Sequence, residues 1–344
     1  MTTTTRPAVR VPARRAITAL AIGAIGALGT TGAIGTVASP AAASARTAAH
    51  AHDSIRNVSV KGCRDKTYGQ VPCGPWRLAM HSGKTVTFTD ALVWPRDAKG
   101  KTYTYLAAPI AVSGDGHSLA YFRKSDNRLV VRELGGAAHV MPKLKGLSVT
   151  APMELTLSQD GRRLLVSYYG SDGERRPYRV YDVSEPGQGT TLPKTVVNAS
   201  LSGDGATVLG EIETDENTRT LVTYDSSGNE VSRVDPPQVV VNNSPHALSS
   251  DGRTVAVVTG SGGGARLKLY DMVEDRVVRS LRVKLPAGST PYMLDWTGDH
   301  QVTMHVDRER TMWIGQFDSE TGAGKVRDTY AKPKDAFVFA ACGG

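Results

Sequence analysis

The sequence predicts an all-β fold, namely a single β-propeller of four-stranded antiparallel blades. Two linked observations predict it. The phrase LSSDGRTVAV at residues 248–257 recurs in related form along the chain, and its aspartate returns every 44 to 48 residues, a period typical of propeller blades. These turn aspartates are Asp115, Asp160, Asp204, Asp251 and Asp299.

A second acidic residue moves with the first. It follows the turn aspartate by 18 to 22 residues and closes a later apolar run, as in LKLYD. The positions are Glu133, Asp182, Asp225, Asp271 and Asp318. Two features that repeat together indicate one structural unit copied along the chain.

The residue pattern of one repeat predicts four strands. A short apolar strand such as HALS runs into Asp-Gly, where glycine supplies the positive φ that a tight turn needs. TVAVVTG returns antiparallel, ARLKLYD forms the third strand and RVVRSLRV the outer one. We therefore assign a structural turn role to Asp115–Gly116, Asp160–Gly161, Asp204–Gly205 and Asp251–Gly252. A sheet of this size cannot bury both faces alone, which favours radial stacking.

The repeat resembles that of TolB-type and related WD-like β-propellers. Ser-x-Asp-Gly before an apolar strand carries the resemblance, although those proteins usually have proline at x, where this chain has Gly114, Gln159, Gly203 and Ser250. The Tyr-Asp that ends the third strand is similar to the Trp-Asp of WD repeats. The resemblance covers residues 105–325 and implies a fold without a function, because such turns occur in enzymes, receptors and scaffolds alike.

Material at both ends of the repeats predicts one more blade. Residues 75–108 contain PWRLAMHSGKTVTFTDALVWP and KTYTYLAA, which read as strands, and DAFVFAA at 335–341 is a lone apolar strand. We expect strands from both termini to close the ring. Six blades are preferred, with five or seven as alternatives, in one domain at residues 60–344.

The first 45 residues read as a secretory signal peptide. Arg14 and Arg15 precede an uncharged segment at 16–38, and Ala43–Ala45 fits an A-x-A cleavage site. We expect a secreted protein of the cell envelope or exterior, with a flexible leader at residues 46–59. In the alternative, the uncharged segment stays uncleaved and anchors a sensor domain in the membrane.

The three cysteines agree with an oxidising compartment. CRDKTYGQVPC favours a local disulfide between Cys63 and Cys73. The alternative is that one of them pairs with Cys342 and ties the two ends of the chain together.

The net charge of the chain and the catalytic motifs that its sequence lacks limit the classes of function that we expect. The net charge is +8, and four arginines that no acidic residue offsets lie in the first 45 residues. No Lys/Arg run is suited to a phosphate backbone, so we expect no nucleic-acid partner. The sequence has neither G-x-S-x-G nor a zinc-type histidine pair. We predict no cofactor and a monomer.

Candidate binding residues lie where loops lead into the inner strands at the mouth of the central channel. Counting four residues back from the turns gives Glu154 and Asn198, and His246 and Asp295 lie close to the positions that the same count gives in the last two units. They could converge on a cation or a polar ligand, or simply satisfy loop backbone groups. Candidate surface contacts are Trp94, Arg96, Arg175 and Arg176.

These observations favour an exported, non-catalytic binding or scaffold module whose partner is a protein or a cell-envelope polymer. The alternative is a lactonase- or esterase-like hydrolase, in which Ca²⁺ or another divalent cation at the channel mouth polarises an ester. That alternative needs the channel-mouth residues to lie roughly 2–2.6 Å from one ion.

Overall fold

The computed structural model describes residues 53–187, 189–214 and 218–342. Within these ranges the chain forms six antiparallel sheets of four strands each, which are the blades of the predicted propeller. The predicted signal peptide and the first half of the predicted leader, residues 46–52, lie outside the described residues.

In every blade except blade 1 the four strands are consecutive in the chain. Blade 1 takes β1 (Ile55–Asp65), β2 (Gly69–Met80) and β3 (Thr85–Phe88) from the start of the described chain and β24 (Ala336–Ala341) from its end, in the order β24-β1-β2-β3. Blade 2 contains β4 (Ile110–Val112), β5 (Ser118–Phe122), β6 (Leu129–Glu133) and β7 (Ala138–Val140). Blade 3 contains β8 (Met153–Leu157), β9 (Arg163–Tyr168), β10 (Arg179–Asp182) and β11 (Thr190–Thr191).

The second half of the ring repeats the pattern. Blade 4 contains β12 (Val196–Leu201), β13 (Val208–Glu213), β14 (Arg219–Tyr224) and β15 (Glu230–Val234), and the short helix α1 (Gln238–Val241) follows it. Blade 5 contains β16 (Ala247–Leu248), β17 (Thr254–Thr259), β18 (Arg266–Asp271) and β19 (Arg276–Arg282). Blade 6 contains β20 (Met293–Gly298), β21 (Gln301–Arg308), β22 (Thr311–Asp318) and β23 (Gly324–Ala331).

Local hydrogen bonds explain the repeated Ser-x-Asp-Gly. In blade 4 the Ser202 hydroxyl donates to Asp204 Oδ1 at 2.6 Å and accepts the Thr207 N–H at 3.0 Å. Gly205 has φ +73°, and a Cβ there would lie 2.8 Å from the Ser158 side chain of the preceding blade. The serine contacts recur at the other three Ser-x-Asp-Gly turns. Glycine is therefore needed both for the turn and for the close approach of two blades.

At Asp182, Asp225, Asp271 and Asp318 the second acidic residue of the unit stabilises the next turn. Asp271 Oδ1 accepts the N–H groups of Val273 and Glu274 at 2.8 and 2.9 Å. Its other oxygen lies 2.7 Å from Nε of Arg253, which directly follows the Asp-Gly turn. The two sequence features recur together because they meet at the same end of the blade.

The core lies between neighbouring sheets. Leu209 and Leu221 of blade 4 pack with Val255 and Tyr270 of blade 5. The opposite side of blade 5 packs with blade 6, where Trp296 is buried. Each inner sheet face is covered by the next blade, so the alternating apolar residues of both faces are buried.

Blade 1 differs from the prediction in two details. β1 already begins at Ile55, so residues 55–59 belong to the blade and not to a leader that ends at residue 59. The segment KTYTYLAA forms no strand. Instead, the Tyr105 ring stacks on Tyr68 with centroids 4.6 Å apart, and the Tyr103 hydroxyl donates to Asp97 at 3.1 Å. Its alternating aromatic residues thus contact loops and not a neighbouring strand.

The predicted disulfide between Cys63 and Cys73 is confirmed. Cys342 is free and buried, so the alternative pairing with the C-terminal cysteine is wrong. In the part of the chain that the structure describes, no helix is long and apolar enough to span a membrane.

Candidate binding face at the channel mouth

The loops that lead into the inner strands lie on one face of the propeller. From blade 1 to blade 6 the first strands of neighbouring blades approach one another around the axis, as β12 does with β16 and β16 with β20. Glu154 lies in β8, Asn198 in β12 and Asp295 in β20, while His246 directly precedes β16. All four predicted channel-mouth residues therefore lie near the start of an inner strand.

Two of them meet at a residue that the sequence analysis did not select. The Asn198 amide donates to Glu211 Oε2 at 3.0 Å, and His246 Nδ1 lies 2.9 Å from Glu211 Oε1. Arg219 lies 2.7 Å from Glu211 Oε2, and His246 Nε2 lies 3.0 Å from the carbonyl oxygen of Val240 in α1. This network joins blade 4 to the loop that leads into blade 5.

The hydrogen-bond and ion-pair partners of Glu211 keep its carboxyl group ionised. Burial by itself raises the pKa of this carboxyl. Hydrogen bonds from His246 and Asn198, together with the charges of His246 and Arg219, outweigh that effect and lower the pKa to about 2. A buried carboxylate with these contacts acts as a structural anchor that keeps its charge over the whole neutral range.

Asp295 faces a different histidine. Its Oδ2 lies 3.6 Å from Nε2 of the buried His305. Burial raises the pKa of Asp295 to about 7 and lowers the pKa of His305 to about 3. Both side chains and Cys342 line a small cavity of about 10 Å³, which has room for about one water molecule. Burial also raises the pKa of the Cys342 thiol to about 11, so this thiol is protonated.

Glu154 stands apart from both groups. It is exposed, and its charge adds to burial in raising the pKa of Tyr178. The structure thus brings Asn198 and His246 together through Glu211, whereas Asp295 and Glu154 have other surroundings. Among the described residues, no three His, Cys, Asp or Glu side chains are grouped closely enough to hold a metal ion.

Strand register explains why Glu211 and His305 were missed. Asn198 pairs with Glu211 across β12 and β13, and Met293 pairs with His305 across β20 and β21. Glu211 lies three residues after Val208, which pairs with Leu201 of β12. His305 likewise lies three residues after Val302, which pairs with Trp296 of β20. Counting back from the turns considers residues of the inner strands alone. A polar residue in an otherwise apolar second strand, such as the glutamate of VLGEI, is the signal that could have identified them.

The predicted surface residues are half-buried, and the side chains of Trp94, Arg175 and Arg176 have partners within the chain. Trp94 Nε1 donates to the carbonyl oxygen of Pro72 at 2.9 Å. Arg175 lies over the Tyr178 ring at 5.3 Å and donates to the carbonyl oxygen of Val196. Arg176 lies 2.7 Å from Asp172, and the carbonyl oxygen of Arg96 accepts the Asn127 amide at 2.9 Å.

A cleft of about 410 Å³ opens beside His246. Its walls are residues 242–245 ahead of β16, residues 260–261 after β17 and residues 290–291 ahead of β20. Val258 and Leu294 add apolar side chains. The described residues that line it include amides and hydroxyls but carry no charge. Such a surface can bind a ligand through hydrogen bonds and apolar contact, and the lining offers no acid or base for proton transfer.

No protein-family model matches the chain, and no curated protein matches it. Among solved structures, TolB from Acinetobacter baumannii is similar in fold, with 16% identity over 84% of this chain and 67% of that chain and a TM-score of 0.43. A nidogen/laminin complex (11% identity, 83% and 97% covered, TM-score 0.45) and an oligogalacturonate lyase in complex with manganese (14%, 81% and 75%, 0.41) are also similar. At these identities the likeness concerns the β-propeller fold alone.

Proposed function

We propose that this protein is an exported, non-catalytic β-propeller that binds a protein or a cell-envelope polymer through its channel-mouth face. The observation that carries the proposal is the uncharged cleft of about 410 Å³ between the loops that lead into β16 and β20. Its volume lies within the range of pockets that bind ligands in proteins.

The walls of the cleft are fixed by contacts behind them. His246, next to Pro245 of the wall, is held by Glu211 and by the Val240 carbonyl group. The Asn243 amide donates to the Val239 carbonyl oxygen at 3.0 Å. A cleft that is already ordered loses less conformational entropy when a ligand binds, which favours affinity.

The wall of the cleft formed by the loops after β17 and ahead of β20 is also fixed by a hydrogen bond. The Gly262 N–H donates to the Ser289 carbonyl oxygen at 3.2 Å, and this contact joins the loop after β17 to the loop ahead of β20. Two fixed walls of amides and hydroxyls around apolar side chains suit an uncharged polar segment, such as a stretch of polypeptide or a neutral saccharide chain.

Export is supported by the disulfide between Cys63 and Cys73, because disulfides persist in oxidising compartments. A partner outside the cytoplasm, either a protein or an envelope polymer, agrees with that location.

The test is to fill the cleft. Ser261 is exposed and lines the cleft, so Ser261→Trp should block it while leaving the core intact. Ser227→Trp, at an exposed turn after β14, is the matched control. We would measure co-sedimentation with purified envelope polymers and affinity capture from the secreted proteins, followed by titration of each captured species.

We expect wild type and Ser227→Trp to bind alike and Ser261→Trp to bind at least about tenfold more weakly. Equal affinity of all three proteins, or the absence of any partner in both fractions, would overturn the proposal.

A further inference from the structure

One side of blade 5 carries an unusual set of positive charges. Arg266 of β18 lies directly opposite Arg282 of β19, and Lys268 lies opposite Ser280. Side chains two residues apart on a strand point to the same side, so Arg266, Lys268 and Arg282 share one side of the sheet. Lys284, two residues after Arg282, continues this side. We call these four residues the basic face.

The pairing of β19 extends as far as Lys284. The Val283 N–H donates to the Ala265 carbonyl oxygen at 3.1 Å, and the Leu285 N–H donates to the Gly262 carbonyl oxygen at 3.2 Å. The residues of opposite alternation belong to the core with blade 6: Leu267, Leu269, Leu281, Val283 and Leu285. The basic face is therefore on the other side of the sheet from this core and from Val258 of the cleft, which packs against the same core.

None of the four cations has an ion pair or a hydrogen bond within the described part of the chain. Arg266, Arg282 and Lys284 are exposed and Lys268 is half-buried. Their neighbours on β19 behave differently: Arg276 pairs with Glu274, and Arg279 donates to the Glu320 carbonyl oxygen at 2.7 Å. Among the described residues, the absence of partners is thus a property of this face and not of the whole strand.

Two like charges directly opposite each other on a sheet destabilise it. An anion that contacts both guanidinium groups relieves that repulsion. Neighbouring positions on such a face are about 4.5–7 Å apart, so the four cations form an extended array that a series of anions fits better than a single ion.

No run of Lys/Arg in the sequence suits a phosphate backbone, but strand pairing brings these four cations together. We propose that the basic face binds a linear polymer that carries phosphate groups. A planar carboxylate has two oxygens, and a single guanidinium fork occupies both. The oxygens of a tetrahedral phosphate point in different directions, so one phosphate group contacts Arg266 and Arg282 together. This surface is separate from the cleft, and the proposal does not depend on the function proposed for the cleft.

The test uses inorganic polyphosphate as the probe. Arg266→Ser/Arg282→Ser removes the opposed pair. Arg308→Ser/Arg310→Ser is the control, because it removes the same charge from an exposed turn of blade 6 whose arginine side chains also have no partner among the described residues. Affinity is measured over a series of salt concentrations, and melting is measured with and without polyphosphate.

We expect wild type and the control to bind polyphosphate and the Arg266/Arg282 variant to bind at least about tenfold more weakly. Its slope of log affinity against log salt should be smaller by about 1.4, or about 0.7 for each lost phosphate contact. Without ligand at low salt, this variant should melt at a higher temperature than wild type, because the like-charge repulsion is gone.

Equal weakening in both double variants would show attraction by net charge alone and overturn the proposal. Failure of wild type to bind polyphosphate, or equal binding of polyglutamate, would overturn it as well. Ser261→Trp must bind polyphosphate like wild type. If it does not, the polymer occupies the cleft and the basic face is not its site.

Discussion

Glu211 offers the sharpest test of how the channel-mouth face is held. Its carboxylate has contacts with Asn198, His246 and Arg219, which lower its pKa from the usual 4.5 to about 2. This lowering of the pKa corresponds to about 3 kcal/mol in favour of the charged form. Because Arg219 is partly exposed and screened by solvent, we expect about 2 kcal/mol from Glu211→Gln, or about 4–8 °C in melting temperature.

The lowered pKa of Glu211 also determines how the effect of Glu211→Gln on stability changes with pH. A carboxyl whose pKa is lowered by folding contributes stability that is fully present above its unfolded pKa and is lost as the pH falls through its folded pKa. The stability difference between wild type and Glu211→Gln should therefore be full at pH 7 and shrink between about pH 4.5 and 2. The assay is denaturant unfolding at a series of pH values.

Glu213→Gln is the matched control, since this exposed residue of the same strand lies 3.9 Å from Arg219 and should change stability by less than about 0.5 kcal/mol. An effect of Glu211→Gln that does not vary with pH, or that equals the effect of the control, would refute the reasoning.

Three further predictions concern other parts of the molecule. Between about pH 4 and 6.5 the pair Asp295 and His305 holds one proton in the folded and in the unfolded protein, so it adds no pH dependence to stability there. In Asp295→Asn only His305 remains, which is neutral when folded and protonated when unfolded. The free energy of unfolding of this variant should therefore fall by at most about 1.4 kcal/mol per pH unit as the pH drops below 6.5. A flat profile in that variant would contradict the burial of His305 as the cause. Replacing Cys63 and Cys73 by serine should cost about 2–3 kcal/mol in denaturant unfolding, since the bond closes a short loop, and an unchanged midpoint would show that the bond does not stabilise the fold. Chelator should leave the melting temperature unchanged, and titration with Ca²⁺ or Zn²⁺ should produce no shift with one-ion stoichiometry; such a shift would favour the hydrolase alternative.

The repeats predicted the fold because the interactions that shape a blade are local. The Ser202–Asp204 hydrogen bond spans two residues, and the positive φ of Gly205 belongs to a single residue. Each copy of the turn therefore shows directly in the sequence. The same local reasoning wrongly predicted a strand at residues 101–108, where alternating tyrosines pack against loops and not in a sheet.

The site was predicted only in part because it depends on register between strands. Counting back along the inner strands found Asn198 and His246, but their shared partner Glu211 lies on the second strand and is brought to them by pairing. The cleft combines three segments at residues 242–245, 260–261 and 290–291, and no local pattern marks segments that meet only after the blades have closed into a ring.

The most direct test of the central claim is amide hydrogen exchange of the protein alone and with its captured partner. The account predicts new protection of backbone amides at residues 242–245, 260–261 and 290–291, which form the walls of the cleft. Unchanged exchange at these three segments, with protection only at the turns of the opposite face such as residues 225–229, would contradict it.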